Sequence, residues 1–240
     1  MKVKVLGILG GSGLYDPSFP GRSHGKTVGT PFGNPSDRLQ IGEHGGLRIA
    51  FIPRHGSGHT IPPHLVNHRA NLWALKNQGV THIISTSSTG SLKKRIRPGH
   101  FVIPDDFISF WNVPTLRDDL HHATPELDAG LRRLLRDAAK SVGATVHFGG
   151  TYVQTIGPRL ETKAEIRFFR GHGDVVGMTM ASEATLACEL GIGYASLCSV
   201  DNYCHGIAGR GLTYRQIVRQ QKKNSGTLVA AIKAAVEMLS

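Results

Sequence analysis

The stretch Lys4-Val-Leu-Gly-Ile-Leu-Gly-Gly-Ser-Gly13 joins a short apolar run to a loop of glycines and one serine. An apolar run of this length, bounded by glycine, is typical of a strand buried on both faces of a sheet. The bare N–H groups and the Ser12 hydroxyl after it can surround an anion, and a plain tight turn is equally compatible. A dinucleotide or nucleoside-triphosphate loop is disfavoured, because Pro17 and Pro20 break the chain and no Walker lysine follows.

Further short apolar runs, each bounded by glycine or proline, recur along the chain and are predicted to be strands. They are Arg48–Ile52, Val80–Thr86, His100–Ile103, Ala144–Val153, Val175–Met178 and Gly193–Val200. Helical patterns alternate with them, and this alternation predicts an α/β fold with a central sheet.

The helix boundaries follow from capping residues. One helix opens at Pro62-Pro63 and ends at Gly79, and an amphipathic helix has Thr124 as N-cap, Pro125 as its first residue and Gly143 after its end. Further helices are predicted over Thr162–Arg170, over Glu183–Leu190 after Ser182 as N-cap, and from Tyr214 to about Leu239, with a break near Gly226 left open.

Composition places the chain among globular proteins. Its 240 residues suit one α/β domain or two small ones, and no linker or repeat is visible, so we predict a single domain over residues 1–240. The net charge is +11, yet only 19% of residues are charged and 40% are hydrophobic. Glycine accounts for 30 of the 240 residues, well above the average share of ~7%, which favours tight turns or close approach to a ligand.

Several protein classes are disfavoured. No apolar run approaches the ~20 residues of a membrane span, and no signal peptide is apparent, so we expect a cytoplasmic protein without membrane partners. Cys188, Cys198 and Cys204 lack metal-binding spacing and are expected to be reduced thiols. Short basic clusters such as Lys93-Lys94-Arg95 leave nucleic-acid binding as a minor alternative, because a solvated surface explains them more simply.

Arg54 and His55 follow an apolar run at the start of a glycine-rich loop, where ligands commonly bind. Arginine offers a fixed fork of donors to phosphate, and histidine can add a donor or titrate near neutrality. His59 and His64 in the same loop raise zinc as an alternative, which we rate lower because neither cysteine nor an H-E-x-x-H helix accompanies them.

Ser85-Thr-Ser-Ser-Thr-Gly-Ser91 places hydroxyl groups directly after another predicted strand. Hydroxyls and turn N–H groups can bind phosphate or sugar oxygens, although such a run can also satisfy its own backbone. Glu161, Met178 and Asp201 also stand at predicted strand or helix ends, and each is explained either by packing and capping or by a ligand site.

The order of motifs resembles the S-methyl-5′-thioadenosine phosphorylase and trimeric purine nucleoside phosphorylase family. The motifs are Gly10-Gly-Ser-Gly-Leu-Tyr-Asp16, Thr30-Pro-Phe-Gly-Asn-Pro-Ser-Asp37, Arg54-His-Gly with His59, Val66-Asn-His-Arg-Ala-Asn-Leu-Trp-Ala-Leu-Lys76, Thr89-Gly-Ser-Leu92, Gly157-Pro-Arg159, Gly177-Met-Thr179 and Asp201. The resemblance implies a three-layer α/β fold with a central mixed sheet, a homotrimer, and cleavage of a purine N-glycosidic bond by inorganic phosphate as co-substrate, with no cofactor and no metal.

The resemblance also implies roles for individual residues. Phosphate would be bound by Ser12, Arg54, His55, Ser87, Ser88 and Thr179. Met178 would lie under the ribose, Asp201 would face the purine, and Asp201 and His55 would be the catalytic groups. The remaining nucleoside contacts would come from Leu160, Glu161, Tyr203, Tyr214 and Val218. His121 and His122 are candidates to reach a neighbour's site, although an exposed loop pair is the favoured explanation.

Two departures bear on the base. The methylthioadenosine enzymes have Phe and Ser after Gly-Pro-Arg, whereas this chain has Leu160-Glu161, similar to the 6-oxopurine enzymes. A carboxylate accepts N1–H of a 6-oxopurine but opposes the bare N1 of adenine. Asp201 stands where the 6-oxopurine enzymes usually have Asn, so the two indicators conflict. We therefore expect phosphorolysis of 6-oxopurine or 5′-methylthio-purine nucleosides, with S-methyl-5′-thioadenosine phosphorylase activity proper as the alternative and nucleic-acid binding as a remote one.

Overall fold

A computed structural model describes residues 3–14, 23–111, 113–120, 122–208 and 211–240. The strands are β1 (Val5–Gly10), β2 (Ser23–Lys26), β3 (Leu39–His44), β4 (Leu47–Pro53), β5 (His82–Ser91), β6 (Phe101–Ile103), β7 (Asp106–Ser109), β8 (Val146–Phe148), β9 (Thr151–Gln154), β10 (Val175–Gly177) and β11 (Gly193–Tyr203). The helices are α1 (His68–Lys76), α2 (Ala129–Ser141), α3 (Lys163–Phe169), α4 (Met180–Glu189) and α5 (Tyr214–Glu237).

In these ranges the strands form one mixed sheet, with β2-β3-β4-β1-β5-β10-β9-β7 as its main path and β11, β6 and β8 branching from β5. β1 runs parallel to both β4 and β5, and β11 runs parallel to β5 along almost its whole length. On its other side, β5 pairs with β1 near its start and antiparallel with β10 at its far end, through Gly90 and Ser91. The long central strand β5 therefore extends from the middle of the sheet, beside β1 and β11, to the point where β10 and β11 meet it.

Helices cover both faces of the sheet. Leu72 and Leu75 of α1 pack with Met180 and Leu186 of α4 in the apolar core on one face. The core on the other face includes residues of α2 and α5, among them Leu131, Leu135, Leu228 and Ile232. This arrangement confirms the predicted three-layer α/β fold. No break occurs at Gly226, because α5 continues through it.

Three predicted helix starts were wrong, and at two of them, α2 and α4, a tertiary contact outweighs the local signal. The amphipathic helix α2 begins after Asp128, whose side chain accepts from the Leu131 N–H, and not after Thr124. The chain before it is held extended, since the Asp128 N–H donates to the carbonyl of Tyr194 at 2.8 Å. Pro63 opens only a short 3-10 turn, and α1 itself starts after the Asn67 cap.

The helix α4 begins after Thr179, one turn before the predicted N-cap Ser182. Ser182 does not cap because its hydroxyl and N–H are both bonded to the side chain of Gln154. The predicted strand Ala144–Val153 is likewise two strands, β8 and β9. Gly149 and Gly150, with φ of 106° and 119°, turn the chain between them.

Candidate active site

A cleft of about 390 Å³ lies where β1, β4, β5, β10 and β11 end or change partners. Of the residues predicted from the sequence to form a site, those lining the cleft are Ser12, Arg54, His55, Ser88, Leu160, Glu161, Met178, Thr179 and Tyr214. Four others are not among its lining residues: Ser87, Asp201, Tyr203 and Val218. The cleft thus gathers residues from segments that are distant in the chain.

Glycine allows the first loop to lie against Arg54. The Arg54 N–H donates to the Gly10 carbonyl at 2.8 Å, which ties the end of β4 to the end of β1. A Cβ on Gly11 would collide with the Thr86 carbonyl and the Arg54 guanidinium. The predicted role of the glycine run as a close-approach loop therefore has a steric basis at Gly11.

Arg54 is 1% exposed, and three of its five guanidinium N–H groups are hydrogen-bonded inside the protein. Nε and Nη2 both donate to the Glu183 carboxylate, and Nη1 donates to the Thr86 carbonyl at 2.8 Å. Burial works to lower the pKa of Arg54, but the charge and hydrogen bonds of Glu183 outweigh it and raise this pKa above its ordinary value. Arginine has five N–H donors, so one on each terminal nitrogen remains for a ligand.

His55 contributes a neutral imidazole beside the arginine. Burial and then the positive charge of Arg54 lower the pKa of His55 to about 4. Nδ1 lies 2.8 Å from the Ile61 carbonyl oxygen, which can only accept, so Nδ1 carries the proton. Nε2 of the neutral ring is left with a lone pair that can accept a hydrogen bond.

Hydroxyl groups complete this end of the cleft. Thr179 is the N-cap residue of α4, but its side chain makes no capping hydrogen bond and lines the cleft instead. Ser88 Oγ accepts from Gln221 Nε2 at 2.9 Å. Ser87 is 2% exposed and lies behind the cleft, with its Oγ 3.4 Å from Thr179 Oγ1. Ser12 and Thr179 therefore offer hydroxyl donors suited to an oxyanion, and the Ser88 hydroxyl beside them is also hydrogen-bonded to Asp201.

Elsewhere the cleft is lined by the carboxylate of Glu161, the carboxamide of Asn202 and apolar residues such as Leu160 and Val176. Glu161 Oε1 accepts from Thr155 Oγ1 at 2.7 Å, and burial raises the pKa of Glu161 above its ordinary value. Met178 also lines the cleft and packs so closely on Gly157 that a Cβ there would stand 2.6 Å from its sulfur. Such a lining suits a flat heterocycle bearing a few polar groups.

Asn202, which the sequence analysis did not single out, lines the cleft where Asp201 was expected. Val200 pairs with Thr89 and Asn202 with Gly90, so Asp201 is an extra residue in a bulge of β11. The bulge turns Asp201 inward, where its carboxylate accepts from Asn224 Nδ2 at 2.7 Å and Ser199 Oγ at 3.0 Å. Burial raises the pKa of Asp201 to about 6.

Two other residues predicted to contact the nucleoside, Tyr203 and Val218, do not line the cleft, but residues near them in the chain do. Tyr203 points away from it and donates to the Lys94 carbonyl at 3.2 Å. On α5 the cleft is lined by Tyr214, Ile217 and Gln221, and not by Val218. Residues three and seven positions after Tyr214 share its side of a helix, so this periodicity could have identified Ile217 and Gln221 from the sequence.

The metal and nucleic-acid alternatives find no support in the cleft. Among the described residues, no group of three or more His, Cys, Asp or Glu side chains could hold a metal ion. Lys93, Lys94 and Arg95 line a separate groove with Arg170, where Lys93 donates to a carbonyl and Arg95 pairs with Asp174. The cysteines are free thiols, as predicted.

Within the described ranges, none of the helices combines the length and the apolar character needed to cross a membrane. His122 is exposed, and His121 lies outside the described residues.

The three-layer architecture around the mixed sheet is the nucleoside phosphorylase fold. The chain belongs to the phosphorylase superfamily, whose sequence model matches residues 5–237. It is 42% identical over 249 residues to the 6-oxopurine nucleoside phosphorylase of Pyrococcus furiosus, covering 98% of this chain and 92% of that protein.

Two other relatives carry different substrate names. A probable S-methyl-5′-thioinosine phosphorylase of Methanothermobacter thermautotrophicus is 42% identical over 238 residues, covering 98% of this chain and 84% of that protein. The solved structure of methylthioadenosine phosphorylase from Schistosoma mansoni with adenine has a TM-score of 0.89 and 32% identity, covering 99% of this chain and 92% of that one. The family resemblance drawn from the motifs is confirmed.

Proposed function

We propose that this enzyme cleaves the N-glycosidic bond of 6-oxopurine nucleosides, with or without a 5′-methylthio group, by phosphorolysis. The products are a free purine and ribose 1-phosphate or its 5-methylthio analogue. The observation that carries the proposal is that one cleft brings Arg54 and the hydroxyls of Ser12, Ser88 and Thr179 together with Glu161 and Asn202. The names of the relatives agree with it, since they act on 6-oxopurine or methylthio-purine nucleosides.

Inorganic phosphate is proposed to bind the free N–H groups of Arg54 and the hydroxyls of Ser12, Ser88 and Thr179. Charge-assisted hydrogen bonds from arginine fix the orientation of an oxyanion. His55, neutral by its lowered pKa, accepts a hydrogen bond through Nε2 from phosphate or a sugar hydroxyl. Phosphate so held serves as a nucleophile already positioned against the sugar carbon, which lowers the entropic part of the barrier.

The base is proposed to bind between Glu161 and Asn202. Glu161 accepts N1–H of the 6-oxopurine, and one N–H of the Asn202 carboxamide already donates to the Tyr203 carbonyl at 3.0 Å. The second N–H and the amide oxygen of Asn202 remain for the purine edge, where charge develops as the glycosidic bond breaks. Asn202 thereby takes the role first assigned to Asp201, and Met178 lies under the ribose.

The 5′ group is proposed to face α5. Ile217 and Tyr214 of α5 line the cleft there, and Leu160 adds a further apolar side chain to its lining. An apolar lining accommodates a methylthio group at least as well as a hydroxyl group. The chemistry described uses only phosphate and side chains, so we propose that the reaction needs no cofactor. We also propose that residues 1–240 act as a single domain.

We expect the reaction to require phosphate and to yield a sugar 1-phosphate. The measurement is incubation of the protein with inosine, guanosine, adenosine, methylthioinosine and methylthioadenosine, with and without phosphate, followed by identification of the base and sugar released. A hydrolase acting on the same nucleosides is the nearest rival. Release of free ribose at an undiminished rate in phosphate-free buffer would establish the hydrolase instead.

A homotrimer is also proposed, as the family resemblance implies. An exposed aromatic patch, formed by Phe110, Trp111 and Phe168, lies at the rim of a groove of about 400 Å³. Phe110 and Phe168 are 57% and 56% exposed, although their rings contact each other in a tilted arrangement with centroids 6.3 Å apart. Contiguous exposed apolar groups of this kind mark contact surfaces between proteins.

Analytical ultracentrifugation is expected to give three times the 25.9 kDa mass of one chain. Phe168→Asp should shift the protein towards the monomer, because a charge would be buried at the contact. Phe148→Asp is the matched control, since Phe148 is 43% exposed but lies under Arg132 and Arg136. A wild-type protein that sediments as an active monomer would refute the trimer.

A further inference from the structure

Glu183 is a completely buried carboxylate with no place in the phosphorolysis described above. It stands in the first turn of α4, and its two oxygens are bonded to Nε and Nη2 of Arg54. Oε2 also accepts from Tyr194 Oη at 2.7 Å, and that hydroxyl is in turn 2.6 Å from Ser85 Oγ. The pair Arg54–Glu183 is therefore the centre of a buried chain of hydrogen bonds.

Stability does not by itself account for this arrangement. A buried ion pair contributes little net stability, and well-packed apolar residues of similar volume often serve the fold as well. What the pair does supply is geometry, because a carboxylate that engages two nitrogens of a guanidinium fixes its plane. With Nη1 anchored on the Thr86 carbonyl, the two remaining N–H groups of Arg54 have one fixed direction.

The pair also changes the charge that a ligand meets. Glu183 offsets the positive charge of Arg54, and His55 is neutral beside it. His68 lies 3.8 Å from Glu183 Oε1 and is neutral too, because burial lowers its pKa to about 4. An anion in the cleft therefore meets directed N–H and O–H groups with little net positive charge behind them.

We propose that Glu183, supported by Tyr194, is a positioning residue that orients the Arg54 guanidinium for phosphate. This inference rests on the proposed phosphorolysis and deepens it. The proposal and simple electrostatics predict opposite changes in phosphate affinity when Glu183 loses its charge. Removing the negative charge of Glu183 would strengthen phosphate binding if net charge governed it, but weakens binding if the fixed direction of the donors governs it.

The experiment compares Glu183→Gln and Tyr194→Phe with wild type. The Michaelis constant for phosphate is measured at saturating inosine, and that for inosine at saturating phosphate. We expect Glu183→Gln to raise the phosphate KM about tenfold or more and Tyr194→Phe to raise it a few-fold, while the inosine KM changes less than about twofold. The melting temperature of each variant, with and without inorganic phosphate, reports folding and phosphate binding independently of turnover.

Glu189→Gln is the matched control. Glu189 ends the same helix and accepts two hydrogen bonds, from Thr115 Oγ1 and the Leu116 N–H, both at 2.7 Å, but it does not line the cleft. Its substitution should leave both Michaelis constants unchanged even if it lowers the melting temperature. A purely structural role of Glu183 would likewise lower the melting temperature without separating the two constants.

The outcomes are distinguishable. A phosphate KM that falls or stays unchanged in the folded variants overturns the proposal, and if Glu183→Gln does not fold, Tyr194→Phe alone decides. An absence of phosphate-dependent cleavage in the wild type would instead defeat the proposed function. In that case, inorganic phosphate could still raise the melting temperature of the wild type but not of Tyr194→Phe. This result would support the orientation of Arg54 by Glu183.

Discussion

Substitution of Arg54 by alanine is expected to lower kcat/KM for phosphate about 100-fold or more. Two charge-assisted hydrogen bonds to phosphate would be lost, each contributing about 1.5–3 kcal/mol. The measurement is the initial rate of inosine phosphorolysis across a range of phosphate concentrations. Arg54→Lys should fall between alanine and wild type, because lysine keeps the charge but not the planar fork of donors.

Loss of Arg54 also leaves Glu183 buried without its cation, so the variant is expected to be less stable by about 3–5 kcal/mol. Activity must therefore be compared at a temperature where circular dichroism shows the variant to be folded. Arg95→Ala is the matched control, since Arg95 pairs with Asp174 at 2.9 Å on an exposed surface. An unchanged phosphate dependence in folded Arg54→Ala would remove Arg54 from the site.

The core of the sheet could be predicted from the sequence because its strands are continuous apolar runs. The strand β1 and the first half of β5 are located in this way, since the predicted run Val80–Thr86 ends before β5 does. The strands β2 and β7 could not be, since Ser23–Lys26 is mostly polar and Asp106–Ser109 is only partly buried. Edge strands of this kind are defined by the neighbour they pair with, which a local pattern does not reveal.

The site could be predicted where a motif fixes the backbone, and less well where a side chain's direction depends on register. Arg54 and Thr179 follow strand ends and line the cleft as expected. Asp201 and Asn202 are adjacent, and a single extra residue in β11 exchanges the faces to which they point. The sequence indicates Glu183 only as a residue of a predicted helix, because its burial against Arg54 depends on the folded structure.

The base preference is expected to depend on Glu161. An ionised carboxylate accepts N1–H of methylthioinosine, whereas it faces the lone pair of N1 in methylthioadenosine and is left unpaired. A buried unpaired acceptor costs about 1–3 kcal/mol, so kcat/KM should favour methylthioinosine about tenfold or more. Glu161→Gln should largely abolish the ratio, because an amide can either accept from N1–H or donate to bare N1.

Glu165→Gln is the control for this comparison, since Glu165 lies four residues further on, pairs with Arg159 and does not line the cleft. Equal kcat/KM values for the two nucleosides in wild type, or a ratio unaffected by Glu161→Gln, would show that Glu161 does not read the base.

The same carboxylate gives the preference a pH dependence of known sign. Burial raises the pKa of Glu161, so the carboxylate is ionised only above that raised value and becomes protonated as the pH falls through it. A protonated Glu161 can donate to N1 of adenine, and the preference for the oxopurine should therefore narrow as the pH falls from about 8 to about 5. The ratio of kcat/KM for methylthioinosine and methylthioadenosine across this range measures it. Because the amide of Glu161→Gln does not titrate, a ratio that varies with pH in the same way in that variant would assign the effect to another group.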